Sequence, residues 1–244
     1  MKMYIKNGKF KKYDYVFLAG NYGWRGIGRI NQTDINSSVK ININSDDYDA
    51  CTMLSNKTDS SNKYILFLDE YLPLHPDTFL LGIKNVSPND YYPELNKYFD
   101  FVEKKYKLPV IIAAHPKALE YHNKNFFDGR QVLFNQTAEL TKDALFVLAH
   151  DSTSVNYPIY FNKKIHFITS KNIMNDIAEV HWNTLNFAKY LGCNYQYFDD
   201  FNDEFNLIEE LPIKNYEQFK LDFHTSPETE NKKTVDIFLN FLRS

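Results

Sequence analysis

Two short polar pieces in the middle of the chain carry residue types that grip anions and move protons. They are Ala114-His115-Pro116-Lys117 and His150-Asp151-Ser152-Thr153-Ser154. An imidazole such as that of His115 or His150 can offer a ring nitrogen to a phosphate or ribose oxygen. Pro116 stiffens the turn behind His115. Lys117 and Arg130 add positive charge, and a guanidinium can hold a phosphate through two parallel N–H groups. Ser152, Thr153 and Ser154 bring three hydroxyls to a point where a helix is about to begin. The first N–H groups of a helix lack partners and face an incoming anion. Capping alone would need one such residue, not three. A third piece runs from Asp69 to Asp77 and packs three acids and a histidine around two prolines. A loop so dense in titratable groups is a place to look for proton transfer, and Asp69, His75 and Asp77 are its candidate bases. The bland reading of the same loop is a rigid connector whose charges face water.

Each polar piece follows an apolar run that reads as a buried strand. Tyr64 to Leu68 precedes Asp69, Pro109 to Ala114 precedes His115, and Leu145 to Ala149 precedes His150. These runs are short and continuous, which suits a parallel sheet covered on both faces. Val132 to Phe134, Ile165 to Ile168 and Tyr195 to Phe198 extend the series. Between them lie helical stretches, the clearest opening at Ser87-Pro88 with apolar Leu95, Tyr98, Phe99, Val102 and Tyr106. Thr137 to Asp143 reads as a short helix, Ile173 to Leu191 as a long one. Pro158 requires the helix after Ser154 to kink or to start late. Strand, polar turn and helix in repetition predict an α/β fold, a Rossmann-like open parallel sheet flanked by helices. In such sheets ligands sit at the carboxyl ends of the strands, where the His115 and His150 pieces fall.

The 244 residues carry 43% hydrophobic and 24% charged side chains, which are globular proportions. A net charge of −3 argues against nucleic acid as a partner. No apolar run is long enough to span a bilayer, and no secretory h-region follows the first lysines. Cys51 and Cys193 lack metal-binding spacing and fit a reducing compartment, so the expected location is cytoplasmic. Five lysines among the first twelve residues (Lys2, Lys6, Lys9, Lys11, Lys12) read as a solvated, partly frayed end, the sharper alternative being a weak attraction for anionic lipid at the inner membrane face or for a phosphorylated acceptor. Gly20, Gly23, Gly26 and Gly28 lack GxGxxG spacing, and nothing after them shows a helical period, so a surface loop is expected there. Asp47-x-Asp49 has the form of a cation-binding pair on a diphosphate, but a solvated turn is the expectation, with no metal. The polar stretch Asn56 to Asn62 is the linker candidate. It divides an N-terminal segment, 1–62, from a nucleotide-binding domain, 63–244, that includes the C-terminal helices. In the last helix Val235, Phe238, Leu239 and Leu242 form one apolar stripe expected to dock on that domain.

Taken in order, these pieces resemble the donor-binding half of GT-B glycosyltransferases: Val-Ile-Ile-Ala-Ala-His115-Pro116-Lys117, Gly129-Arg130, Thr137-Ala-Glu139-Leu, Leu-Ala-His150-Asp-Ser152-Thr153-Ser154 and Phe161 to Ser170. Within that group they are most similar to bacterial surface-polysaccharide enzymes of the sialyltransferase and Kdo-transferase kind. The resemblance implies that His115 and Pro116 contact the nucleotide of a CMP-activated sugar and that Ser152, Thr153 and Ser154 hold its phosphate. Lys117, Arg130, Thr137, Glu139 and His150 complete the expected nucleotide-binding set. The implied activity is metal-independent transfer of a sugar from a nucleotide-sugar co-substrate to a glycan or glycolipid acceptor, with no further cofactor. A CDP-polyol phosphotransferase of teichoic-acid type and a non-catalytic nucleotide-binding module are the alternatives.

Overall fold

A computed structural model describes residues 12–26, 30–55, 63–202, 207 and 209–243. The first four N-terminal lysines, Gly28, the 56–62 stretch and two acids of the loop after Asp199, Asp203 and Glu204, lie outside the described residues. The chain forms two compact units, one of residues 54–215 and one of residues 1–53 with 216–244. The division falls near the expected linker, but the C-terminal stretch belongs with the N-terminal segment rather than with the larger unit.

The larger unit is a six-stranded, wholly parallel sheet. Its strands are β3 (Tyr64–Leu68), β4 (Val110–Ala114), β5 (Val132–Phe134), β6 (Ala144–Ala149), β7 (Lys164–Thr169) and β8 (Asn194–Tyr197). They lie in the order β5-β4-β3-β6-β7-β8. Counted within this sheet, that order is 3-2-1-4-5-6, the doubly wound arrangement of dinucleotide-binding folds. β3 is central, with Leu66 opposite Ile111 of β4 and Val147 of β6. Ile65, Leu66, Phe67, Phe146, Val147 and Leu148 are fully buried, as a strand covered on both faces requires. Each large side chain so buried contributes about 1.5–3 kcal/mol.

The helices differ from expectation where proline or capping decides. α3 (Pro76–Leu81) forms in a loop whose prolines argue against helix. Pro76 occupies its first turn, where the missing N–H would have had no partner. α4 (Pro88–Tyr106) buries the five-residue face that its spacing predicts, Tyr106 only in part. α5 (Thr137–Asp143) carries the chain from β5 to β6. After Ser152 comes a single 3-10 turn, Thr153–Val155, and only then α6 (Asn156–Tyr160), so the helix starts late, with Pro158 in its first turn. The expected long helix after Ser170 breaks at Ile177 into α7 (Lys171–Asp176) and α8 (Ala178–Leu191).

The smaller unit has a two-stranded parallel sheet, β1 (Tyr15–Ala19) and β2 (Val39–Ile43). They are joined by α1 (Gln32–Ser37), in a stretch without helical period. A capping box explains it: Asn31 accepts from the Thr33 and Asp34 N–H groups, and Asp34 accepts from that of Asn31. Asp46 to Asp49 opens α2 (Asp46–Ser55) rather than forming a solvated turn, because acids suit a helix N-terminus. Asp49 also accepts from the Thr234 N–H at 2.9 Å, capping the last helix, Thr234–Arg243. Of that helix, Phe238 and Phe241 pack on Phe17, whereas Val235 and Leu242 stay largely exposed. Gly20 has φ +65°, and a Cβ there would lie 2.6 Å from the Phe223 nitrogen. Gly20→Ala therefore meets both backbone strain and a backbone clash, and a loss of about 1–3 kcal/mol in denaturant unfolding is expected.

Candidate functional site

Parallel pairing sends the carboxyl ends of all six strands to one edge, where the chain leaves β3 at Asp69, β4 at His115 and β6 at His150. β3 lies between β4 and β6, and the sheet order reverses between β3 and β6. In open parallel sheets, ligands bind at such a reversal.

On the β4 side, His75, Asp77, His115 and Lys117 come together. The two imidazole rings meet edge to face, centroids 4.8 Å apart. Each ring accepts at Nδ1 from the backbone N–H two residues on, Asp77 for His75 at 3.3 Å and Lys117 for His115 at 3.2 Å. An Nδ1 that accepts leaves the proton of the neutral ring on Nε2, so each ring keeps one N–H donor. His115 is held below the usual histidine range by burial, then by His75 and Lys117. It is thus a neutral donor at neutral pH. Lys117 Nζ bonds both Asp77 oxygens, at 2.8 and 2.6 Å. That contact keeps the Asp77 carboxyl below its ordinary pKa. Pro116 is exposed beside this group.

At the reversal itself stand Asp69, Glu70 and Asp151. Asp69 is 5% exposed, and neither carboxylate oxygen has a hydrogen bond. Burial pushes its pKa up to about 6, tempered by the Tyr71 and His115 backbones and the Tyr121 hydroxyl, which lie nearby outside hydrogen-bond geometry. Glu70 is only partly exposed, and burial, then Asp151, then Asp69 push it up to about 8. Asp151 is half-buried and accepts from Asn183 at 2.8 Å. Glu70 escaped the sequence reading because nothing in its neighbours separates a buried acid from a solvated one.

His150 lies under this edge rather than on it. Its Nδ1 is 2.6 Å from the Ile168 carbonyl, which can only accept, so Nδ1 carries the proton. Nε2 then accepts from the Tyr91 hydroxyl at 2.8 Å. Both nitrogens are used within the protein, and Phe67, Tyr91 and Phe198 surround the ring. Ser152 is nearly buried and its Oγ accepts from the Ser154 N–H at 3.2 Å, while Thr153 is exposed. Thr137 and Glu139 begin α5, beyond the end of the edge strand β5.

Arg130 is not brought to this edge. It precedes β5, at the amino end of the sheet, where its guanidinium meets Glu103 at 2.8 Å, Asp100 at 2.5 Å and Asn96 at 3.2 Å. Its side chain is 8% exposed. Among the described residues no group of three or more His, Cys, Asp or Glu has the make-up to hold a metal ion. Nor is any described helix long and apolar enough to cross a membrane.

No protein family matches the chain, and no curated protein does. Among solved structures it is similar to E. coli heptosyltransferase WaaC with ADP, at 13% identity and a TM-score of 0.35, over 68% of this chain and 46% of that one. It is also similar to Methanocaldococcus jannaschii UDP-GlcNAc 2-epimerase in complex with UDP-GlcNAc and UDP, at 13% identity and a TM-score of 0.45, over 94% of this chain and 60% of that one. The chain therefore spans about half of the length of these proteins. Likenesses this distant say nothing of activity.

Two stability predictions follow from the geometry. Arg130→Ala should cost about 1.5–3 kcal/mol in denaturant unfolding, the usual range for charged hydrogen bonds, and leave any ligand affinity at the opposite edge unchanged. Burial pushes His150 down to about 4, so the folded protein resists a proton that the unfolded chain accepts. The stability His150 confers is full above pH 6.5 and is lost as pH falls from there towards 4, by about 3 kcal/mol. A His150→Phe variant should show a shallower loss over that window in pH-dependent melting.

Proposed function

We propose that this chain transfers a sugar from a nucleotide-activated donor, with a cytidine nucleotide preferred, to a glycan or glycolipid acceptor at a surface polysaccharide. One observation carries the reading. The two motifs whose order resembles a nucleotide-sugar site, His115-Pro116 and Ser152-Thr153-Ser154, leave β4 and β6 on the same edge, one strand apart, beside the order reversal. Had they emerged on opposite edges, no single ligand could touch both.

In this reading the His115 Nε2–H donates to a phosphate or ribose oxygen, and His75 supports its ring from the side. The hydroxyls of Ser152, Thr153 and Ser154 complete the phosphate contacts from the β6 side. Stabilisation of the departing nucleotide comes from protein donors aimed where charge develops, with no need for a cation. Of the three candidate bases, Asp77 would take the acceptor proton, since its carboxylate is half exposed although paired with Lys117, whereas Asp69 is buried and the His75 Nδ1 already accepts from the Asp77 N–H.

Calorimetric titration with CMP, CDP, UDP and GDP tests the reading. CMP or CDP is expected to bind more tightly than UDP or GDP, and the affinity should survive EDTA. His115→Ala is expected to weaken binding by about 1–3 kcal/mol, the cost of removing one partner of a hydrogen bond, with little change in melting temperature. Absence of binding by all four nucleotides at millimolar concentration would end the proposal.

A further inference from the structure

The loop after β3 turns its polar side chains inward and its apolar ones outward, the reverse of what water favours. It covers residues 75–86 and contains α3 (Pro76–Leu81). Thr78 Oγ1 donates to the His75 carbonyl at 2.6 Å and accepts from Asn85 Nδ2 at 3.1 Å. Asn85 in turn accepts from the N–H of buried Val86 at 3.0 Å. At the carboxyl end of α3, Gly82 takes φ +64° and donates to the Phe79 carbonyl, while the Ile83 N–H reaches the Thr78 carbonyl at 2.9 Å. That is a Schellman cap, so the loop is fixed by its own hydrogen bonds. What it displays is Phe79, Leu80, Leu81 and Ile83, which are 67%, 83%, 71% and 52% exposed. None of the α3 residues is buried, so the helix owes nothing to the core. Single apolar side chains on a surface are ordinary, but four within five residues of a capped loop are not. The loop after β4 adds Leu119, another exposed apolar side chain, two residues beyond Lys117.

The directions of these side chains decide what can cover them. Successive helical residues point about 100° apart, so Phe79, Leu80 and Leu81 fan over about 200° of the helix surface. A groove in a partner protein takes up one apolar stripe, with anchors three and four residues apart. A fan of consecutive residues needs an apolar medium on several sides, as at the acyl boundary of a bilayer. Charge agrees with that. Lys84 is paired with Asp176 at 2.5 Å and Lys117 with Asp77 at 2.6 Å, so these flanking lysines leave no surplus for a charged partner. The backbone is also suited to leaving water, because the cap occupies the Thr78 and Phe79 carbonyls. We propose that the tip at residues 79–83 inserts into a lipid bilayer surface, burying Phe79, Leu80, Leu81 and Ile83 at the acyl boundary. The tip follows directly on His75 and Asp77, which meet His115 and Lys117 of the neighbouring loop. Insertion therefore brings the carboxyl edge of the sheet to the lipid headgroups. The proposal goes beyond the nucleotide-sugar reading and stands without it; where both hold, the acceptor is lipid-linked.

The test is flotation of the full chain with vesicles of phosphatidylcholine alone, at low and at high salt. Wild type is expected to float with the vesicles, and salt to change the bound fraction by less than about twofold, because ions screen charges and not apolar burial. Phe79→Ser and Leu80→Ser are each expected to weaken vesicle binding about tenfold or more, as loss of one large inserted side chain implies. Their melting temperature should not change, since neither side chain is in the core. Leu80→Cys carrying an environment-sensitive dye gives a second readout, and labelling is selective because Cys51 and Cys193 are buried. Its emission is expected to move to the blue on vesicles. A wild type that does not float, or a dye that does not shift, would overturn the proposal. So would flotation that survives in the double serine variant, or that needs anionic lipid and vanishes in high salt. Serine variants that turn a self-associated chain into a monomer, with no flotation of wild type, would assign the tip to contact between copies instead. CMP titration of the same preparations keeps the two readings apart. Nucleotide bound without vesicles ends insertion alone; vesicles bound without any nucleotide end the nucleotide-sugar reading alone.

Discussion

Parallel strands cannot be joined by a hairpin, and that constraint organises the larger unit. Each connection must carry the chain back over a face of the sheet, in most cases through a helix, before the next strand can begin. Every strand therefore ends at one edge, and every connection returns the chain to the other. Residues far apart in sequence, such as Asp69, His115 and Asp151, meet because they occupy equivalent places after β3, β4 and β6. The order 3-2-1-4-5-6 adds a second consequence. Connections leaving β3 and β6 run to opposite sides, so the backbone parts between their ends and leaves room there.

That room is shaped by packing beneath it. His150 pins the turn after β6 to the Ile168 carbonyl of β7 and to the Tyr91 hydroxyl of α4. Its ring fills a space between Phe67, Tyr91 and Phe198 that an aliphatic side chain would fill without bonding either group. The turn that carries Asp151 and Ser152 is thereby held from three elements. On the β4 side, the paired rings of His75 and His115 and the Lys117–Asp77 contact join the loop after β3 to the loop after β4. The edge is thus supported both in the core and at its surface, which is what precise placement of donors demands.

Much of this fold was legible because buried parallel strands leave a blunt signal. Short apolar runs such as Val110 to Ala114 and Ala144 to Ala149 cannot be explained by a half-exposed element, and β3, β4, β6 and β7 lie where such runs fall, whereas β5 and β8 are shorter and more exposed. What the sequence hid has identifiable causes. α1 has six residues and one buried apolar side chain, Ile35, so periodicity could not reveal it, and its capping box could. α3 was masked by prolines that in fact begin it. The division into units depends on contacts made by residues 216–244 with the N-terminal segment, and no local pattern carries that information. For the edge, residue type and position after a strand were enough to gather His75, Asp77, His115 and Lys117. They were not enough for His150, whose inward engagement needs Tyr91 and Ile168, nor for Arg130, whose strand end is the wrong one. Glu70 and Asp69 look alike in sequence, and only the fold distinguishes the partly exposed residue from the one enclosed by tyrosines.

The cations of the two motifs lead to a further step about how this edge would hold an anion. Arg130 is committed to Glu103 and Asp100 at the far end of the sheet. Lys117 is committed to Asp77, so the pair presents little net charge. Neutral groups at the edge with hydrogens to offer include the His115 Nε2–H group and the hydroxyls near Ser152. Neutral donors in fixed positions stabilise a phosphate through oriented dipoles, and their strength depends on alignment and on exclusion of water rather than on net charge. Such a site gains little from long-range attraction, which salt would screen, and much from geometry. Burial raises the pKa of Asp69, Glu70 and Asp151 at the reversal, which lessens the repulsion an anion would meet there.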